Sequence, residues 1–554
     1  MKKNRTVAIL LCFVPLIIAL AHLGIYGINV FSNFTYLYAE SMVSLILLIP
    51  ANKKVFTAIQ SVSVYMATLI LCLLFLVDFI GNAKIHNYSR YSYTESFTRF
   101  LDTMQKEYCL NSWKKMDYDA LKSEYMPLVE EAEKSSDEVL YAKIISEITY
   151  RYYDSHVSVY FEDIDFDIAV EDRMAGNDYG FSMVKLSDGS VIAVLVESDL
   201  QKEDICLTDS ECHLDKYGIH DGTEIVAWDG EDINEFIDRT ECVCSGFEFP
   251  VKENEDIYRP IFAAGRGGET VKVTFVDDKG DVQTADIPKI GNYSNRLSTM
   301  DYLMSSYGAT RKYNNMDACM LDEKYGYLRI SSEIYDSLKD NIASVRHGYY
   351  PEMTELYAEK IEGLKSQGME YLVIDIRNNG GGYDCCAGAL ASLFTNEKRH
   401  LVSFGLEDEK GYHVKEKLYI YPDGRYKDLP VTVLVNDSCM SAGDGMAKYL
   451  ADCENVTLMG ITASSGVNQN NGGCFYLTDN ISVNYPIFLS LAEDGRPLID
   501  TDFTRENRIP LDVRIPMTKD AALAMFSPEN VISEGRFDYE VEYALKYLDE
   551  KEVE

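Results

Sequence analysis

Two stretches of this chain set residues fit for acyl-transfer chemistry at the ends of apolar strands. In VTVLVNDSCMSAGDGMAKYLAD (431–452) an apolar run enters a turn of small residues, and a helical pattern begins near Ala442. Ser441 stands at that junction. A hydroxyl there is lifted to a sheet edge beside free helix amides and a positive dipole end, which suits a nucleophile whose tetrahedral product carries an oxyanion. An ordinary N-cap serine would occupy the same position. In YLVIDIRNNGGGYD (371–384) a second apolar run ends in Arg377 and three consecutive glycines. Their amides can approach a bound group without side-chain interference, although a tight turn uses the same residues. No HExxH motif occurs, and no CxxC pair with a matching second pair. Neither a metal site nor a cofactor is therefore expected.

The elements that must position these residues read as follows. Phe97, Phe100, Leu101, Met104 and Tyr108 recur at three- and four-residue steps, as do Leu140, Ile144, Ile145 and Ile148, so 93–153 is helical. Beyond Asp178 the texture turns to short strands with turn signals: VIAVLV (191–196), GTEIVAWDG (222–230) and the hairpin ETVKVTFVDDKGD (269–281). An acidic, cysteine-containing stretch from Glu197 to His220 reads as a loop. After Gly326, YLRI (327–330), YLVIDI (371–376), VTVLVN (431–436) and NVTLMG (455–460) are continuously apolar, as strands covered on both faces are. Helical patterns alternate with them, Met353–Gln367 among these, which describes an α/β domain over about 295–517. A last helix covers Tyr539–Lys551.

Val7–Val30 is nearly uncharged and long enough to cross about 30 Å of hydrocarbon as a helix. Phe34–Pro50 and Val55–Ile80 follow, with no Ala-x-Ala cleavage signal behind the first run. Lys2, Lys3 and Arg5 precede the first run, and Lys53 and Lys54 separate the second from the third. Three spans keep both basic clusters in the cytoplasm and deliver everything after Asn82 to the outside of the cell membrane. Residues 1–80 carry a net +3, which leaves −40 of the total −37 on the remainder. A surface so acidic repels phosphate backbones, so no nucleic-acid partner is expected. Of the thirteen cysteines, Cys206 and Cys212 could close a small loop in an oxidising compartment, while buried free thiols account for them equally well.

DIRNNGGG (375–382), VLVNDSCMSAGD (433–444) and MGITASSGVNQ (459–469), in that order, resemble the tail-specific, or C-terminal processing, serine peptidase family. That family shows an Asp-hydrophobic-Arg-x-Asn-x-Gly-Gly segment, then a strand leading into a Ser-Ala-Ser-Ala-(Ser/Gly)-Glu box. Cys439 to Asp444 match the box in order. The resemblance therefore implies Ser441 as nucleophile, with Ser438 the nearest rival, and an oxyanion hole of amides near Gly381 and Ala442. It implies an α/β fold with a Clp protease/crotonase-like protease core and an inserted PDZ-like β-rich domain, behind the three transmembrane helices. The expected organisation is a membrane domain (1–82), an N-terminal helical region (93–165), the PDZ-like domain (176–292), the protease core (295–520) and a C-terminal helical tail (521–554). Tyr179, Gly180, Phe181 and Ser182 would form the peptide-binding loop.

One departure matters. Ser–Lys members of the family carry a lysine about 25 residues after the serine, in Phe-Gly-Lys-Gly, and here that segment reads Ala463-Ser464-Ser465-Gly466. Tyr153-Asp154-Ser155-His156-Val157 resembles the Leu-x-Asp-x-His segment of the family. In the tricorn core branch a Ser–His pair at this place supplies the base, assisted by a distal Glu. A histidine with a pKa of about 6.5 is neutral and proton-accepting at pH 7. Carried over, His156 is the base, Ser155 its companion, and Glu506 the distal acid with Asp502 as its rival. The function expected is a membrane-anchored serine endopeptidase acting on extracytoplasmic proteins, whose PDZ-like module captures substrate C-termini. Two alternatives are a catalytically inactive, membrane-tethered peptide-binding protein and a ligand carrier on the same fold.

Overall fold

The structure is a computed structural model and describes residues 84–553, apart from 175, 204–213, 245–247, 292–293, 305–314, 335–349, 409–410 and 528–537. The three expected transmembrane helices and the Cys206–Cys212 pair lie outside the described residues. Among the described residues no helix is long and apolar enough to cross a membrane. Contacts divide the chain into Met1–Ile85 and His86–Glu554, and the architecture below is that of the second unit.

The helical periodicity over 93–153 resolves into α1 (Tyr93–Glu107), α2 (Asn111–Lys114), α3 (Tyr118–Ser135) and α4 (Glu138–Tyr150). Side chains of Ser92, Asp117 and Asp137 each accept an amide at a helix start, which is why the helical run breaks into pieces there. A short strand, β1 (Ser158–Phe161), and α5 (Ile164–Met174) follow. The next strands are β2 (Ser182–Lys185), β3 (Val191–Val194), β4 (Glu224–Trp228), β5 (Thr270–Val276) and β6 (Val282–Pro288). They form an antiparallel sheet in the order β2-β3-β4-β5-β6, packed around Trp228, Phe181 and Ile225. Between β4 and β5 lies α6 (Lys252–Ala263), which runs against the edge strand β2.

The core sheet takes β7 (Met316–Met320), β8 (Tyr325–Ile330), β9 (Tyr371–Asp375) and three later strands of the sequence. Helix α7 (Pro351–Lys365) precedes β9, and α8 (Asp384–Ser392) follows it. Strands β10 (Arg399–Asp408) and β11 (Gly411–Ile420) make a long antiparallel hairpin. Then come β12 (Val431–Leu434), α9 (Ala442–Ala451), β13 (Val456–Gly460), β14 (Asn470–Tyr476), β15 (Ile481–Leu491) and β16 (Val513–Arg514). The chain closes with α10 (Lys519–Met525) and α11 (Tyr539–Val553). The core order is β16-β13-β12-β9-β8-β7, parallel except at β7. A second sheet runs β14-β15-β10-β11, with β1 also on β15, and packs against α1, α3 and α4.

Alternate residues explain the continuously apolar strands. Leu372, Ile374, Val433 and Leu458 face α7, α8 and α9, whereas Val373, Leu434 and Met459 face the β2–β3 module and α11. Both faces are covered, so neither needs polar residues. The sheet is left with its C-terminal edge, where the loops after β9, β12 and β13 meet.

Candidate active site

Strand β12 delivers Ser441 to that edge, and the turn is unlike a helix cap. Ser441 has φ +59° and ψ −126°, and its side chain makes no capping bond to α9. A non-glycine residue in that region costs on the order of 1–3 kcal/mol and persists only where its surroundings enforce it. They do so here through the backbone. Ser441 N–H donates to Val467 O at 2.9 Å, and Ser441 O accepts from Gly445 N–H at 3.0 Å and from Asn468 Nδ2 at 2.7 Å. The hydroxyl itself has no protein partner among the described residues and is half-buried. Such a strand–turn–helix elbow aims an oxygen outward beside the first amides of a helix.

The glycine loop after β9 packs directly on this turn. Gly381 has φ +91°, and a β-carbon there would lie 2.7 Å from Ser441 Cβ and 2.9 Å from Ala442 N. Met440 N–H donates to Asn379 O at 2.9 Å, so the two loops are joined by backbone. The amides differ from the expected pair. Gly381 N–H donates to Asn379 Oδ1 at 2.8 Å and is therefore already engaged, because the asparagine side chain folds back over its own loop. Among the described residues the Ala442 amide has no acceptor, as a first-turn amide of α9 should not. Asn379 is held in turn by Glu333, whose Oε1 accepts from Asn379 Nδ2 at 2.8 Å. Burial pushes the Glu333 carboxyl up to about 8.

His156 sits in the turn after α4, 5% exposed. Asp154 faces it: Oδ1 lies 3.5 Å from His156 Nδ1, an ion-pair distance longer than a sound hydrogen bond, and accepts the His156 amide at 3.0 Å. Tyr108 Oη donates to the other oxygen at 2.8 Å. Burial alone pulls the imidazole down, but Asp154, with Asp500 and Asp444 adding, leaves it above its ordinary value. For Asp154 burial acts upward, and His156 with Lys114 outweighs it, so the carboxyl is lowered. Lys114 at the end of α2 is buried and donates to Tyr153 O at 2.8 Å and to Thr501 Oγ1 at 2.9 Å. Those acceptors adjoin Asp154 and Asp500. Asp500 accepts from Asn468 N–H at 3.3 Å and from Gln469 Nε2, and burial pushes it up to about 6.

The segment 465–469 bridges the two halves. Asp444 on α9 accepts from Gly466 N–H at 3.2 Å and Val467 N–H at 3.0 Å, and burial pushes it up to about 7. Ser155 Oγ lies 3.3 Å from Ser465 Oγ, in the segment where the resembled family has its lysine. Asn468 links Asp500 to the Ser441 carbonyl. Among the described residues no hydrogen bond joins His156 to Ser441 directly.

Glu506 is not brought to this cluster: it is exposed, and among the described residues it makes no ion pair or hydrogen bond. Asp502 turns back on Thr504, accepting its amide at 2.8 Å and its hydroxyl at 2.6 Å. The carboxylates that act on His156 are Asp154, Asp500 and Asp444, none given a role by the sequence. Asp154 stands two residues before the histidine, the spacing at which an Asx side chain accepts a backbone amide, and that signal was present. Lys114, in NSWKKMD, carries no local signal of burial.

The expected peptide-binding loop is buried. Tyr179 Oη donates to Gly268 O at 2.7 Å, Gly180 N–H donates to Asp178 Oδ1 at 2.8 Å, Phe181 packs on Trp228, and Ser182 pairs with Val194. The Gly180 amide is thus engaged, and β2 presents an edge alongside α6.

Residues 324–508 match the model of peptidase family S41. The carboxy-terminal processing protease CtpA of Bacillus subtilis (strain 168) is 30% identical over 131 residues, which are 23% of this chain and 27% of that protein. The chain thus aligns with about a quarter of the length of that curated relative. Solved structures similar to it include mature CPAF complexed with lactacystin, at 16% identity and TM-score 0.46, covering 79% of this chain and 96% of that one. The photosystem II D1 C-terminal processing protease matches at 16% identity and TM-score 0.32, covering 79% and 97%. The tricorn protease matches at 15% identity and TM-score 0.33, covering 83% and 37%.

Proposed function

We propose, from the premise that this chain belongs through residues 324–508 to peptidase family S41, that it is a serine peptidase with Ser441 as its nucleophile. The observation that carries the reading is the Ser441 elbow. Its backbone is bonded at both N–H and O, its hydroxyl is unbonded, and the Ala442 amide beside it is unclaimed. His156 removes the Ser441 proton as the hydroxyl attacks a peptide carbonyl, and the tetrahedral oxyanion is received by Ala442 N–H and the positive end of α9. His156 then hands the proton to the leaving amine, and water, activated by the same imidazole, releases the acyl group. Asp154 stabilises the imidazolium formed in each half-reaction, and the burial of the pair strengthens that interaction.

The finer reading places this activity on the outer side of the cell membrane, anchored by three spans within 1–82, with substrates among extracytoplasmic proteins. The strand-rich module would serve as a PDZ-like capture domain. Its support is the β2 edge lying beside α6, a geometry open to addition of an extended peptide. Binding of C-terminal peptides compared with their amidated forms tests the capture, since equal affinities would argue against carboxylate recognition. Protease added outside intact cells tests the topology, because digestion of the chain after Asn82 is expected and protection would overturn it.

An inactive peptide-binding protein has two observations in its favour: no bond joins His156 to Ser441 among the described residues, and the Gly381 amide is donated to Asn379. A fluorophosphonate probe separates the two. Labelling of the parent, lost in Ser441→Ala, supports the peptidase, and an unlabelled parent overturns it.

A further inference from the structure

Arg377 ends the strand side of the glycine loop, is 1% exposed, and is surrounded by carboxylates from two distant parts of the chain. Asp375 of its own strand accepts Nε at 3.0 Å and Nη2 at 2.7 Å. The remaining bonds reach the entrance of α11. Nη1 donates to Asp538 Oδ1 at 2.9 Å and to Glu540 Oε2 at 2.7 Å, and Nη2 donates to Asp538 Oδ2 at 2.7 Å. The second oxygen of Glu540 accepts the Ile461 amide at 2.9 Å. One carboxylate therefore ties together the loop after β9, which carries Gly381, and the loop after β13, whose Val467 carbonyl accepts the Ser441 amide. A helix that only covered apolar surface would need no more than Ala544 and Leu548, which are buried in the same cluster as Leu434 and Met459. Two further carboxylates on a buried guanidinium add desolvation cost, offset only where the geometry is good. Here four of the five guanidinium contacts, at 2.7–2.9 Å, lie in the charge-assisted range.

We propose that the C-terminal helix is a positioning element of the active site, in which Asp538 and Glu540 hold Arg377 and Ile461 so that the two loops keep their working separation around Ser441. The inference rests on the peptidase reading for its consequence in turnover, but the loop positioning itself is measurable without it. The experiment compares full-length parent, the Asp538→Asn/Glu540→Gln double variant, Glu540→Asp, and Asp549→Asn, which removes the ion pair of Asp549 with Lys324 elsewhere on the helix. The readouts are kcat and KM on a peptide, the fluorophosphonate labelling rate, and amide hydrogen exchange over 376–383 and 461–467. The double variant should lose roughly tenfold or more in kcat and labelling rate, because small misplacements around a nucleophile are costly. Its KM should stay within about twofold and its exchange should rise in both loops, with Glu540→Asp intermediate and Asp549→Asn at parent values. Parent-like exchange in both loops of the double variant would overturn the inference, as would parent-like kcat beside raised exchange. A parent that the probe does not label would sink the peptidase reading instead, and the exchange comparison would still decide the positioning.

Discussion

Asp154 Oδ1 lies 3.5 Å from His156 Nδ1 and also accepts the His156 backbone amide, so one carboxylate fixes both the ring and the turn that carries it. Two opposing effects act on the imidazole: burial lowers its pKa, and the carboxylates raise it to a net upward shift. In the proposed mechanism the neutral ring is the base, so the acid limb of kcat/KM should lie above the ordinary histidine value of about 6.5. Asp154→Asn removes the largest opposing charge and leaves burial in control. The limb should then move below that value while the plateau falls roughly 10²- to 10⁴-fold. A limb that stays put in Asp154→Asn would show that another group titrates. The same shift acts on stability with a definite sign. A histidine raised in the folded state contributes stability fully present below about pH 6.5, which is lost as pH rises through its folded pKa. The more stable form of the pair is thus the one that the proposed mechanism leaves inactive.

A β-carbon on Gly381 would meet Ser441 Cβ at 2.7 Å, Ala442 N at 2.9 Å and Met440 O at 2.9 Å, two of them backbone atoms. Gly381 also has φ +91°, so alanine is strained there whatever the space. Gly381→Ala should destabilise by on the order of 1–3 kcal/mol and lower kcat at least about 100-fold, since relief requires the turn that carries Ser441, the proposed nucleophile, to move. Melting and turnover measured together check this. Parent-like kcat in a folded variant would mean that the loops separate freely.

Lys114 is a buried cation placed against the chain segments of both acids. Burial raises Asp500 to about 6, with Asp154 adding and Lys114 opposing. A carboxyl raised in this way contributes stability fully present below about pH 4, lost as pH rises through about 6. Lys114→Met removes the opposing charge, so that loss should deepen. Chemical denaturation at pH 5 and pH 8 should show the larger destabilisation at pH 8. Equal values at the two pH values would place Asp500 outside the reach of Lys114.

How much of this was legible in the sequence depended on burial pattern and chain distance. Strands β9, β12 and β13 announced themselves because both faces are covered, and Ser441 and Gly381 sit at their ends. The β10–β11 hairpin was missed because HLVSFGLEDEKGYHVKEKLYI mixes charges into its alternation, and α6 was missed because Pro260 reads as a breaker inside it. The acid beside His156 was sought in TRENRIPLDV, where Glu506 is the plainest carboxylate, yet an exposed glutamate cannot serve a buried imidazole. Nothing in the local sequence singles out Asp500, and only folding reveals that its burial is shared with His156. Arg377 was visible as a motif residue, but nothing local indicates that its partners lie about 160 residues downstream.

The strain at Ser441 yields a prediction in which activity and stability part company. Its φ of +59° and ψ of −126° fall in a region that glycine enters readily and other residues do not. Ser441→Ala removes the hydroxyl and keeps that conformational cost, whereas Ser441→Gly removes both. Glycine also gives the unfolded chain more freedom, which offsets part of the gain by about 0.4–1 kcal/mol. The strain relieved is on the order of 1–3 kcal/mol, so Ser441→Gly should be the more stable of the two by about 1 kcal/mol. Both variants should fail to react with a fluorophosphonate and should turn over peptide several orders of magnitude more slowly than the parent. Because the hydroxyl makes no bond among the described residues, its loss in Ser441→Ala should leave stability within about 0.5 kcal/mol of the parent. Denaturation curves of the three proteins under one buffer decide the matter. If Ser441→Gly is no more stable than Ser441→Ala, the turn does not store strain at this residue, and the elbow owes its shape to a backbone that glycine cannot relax.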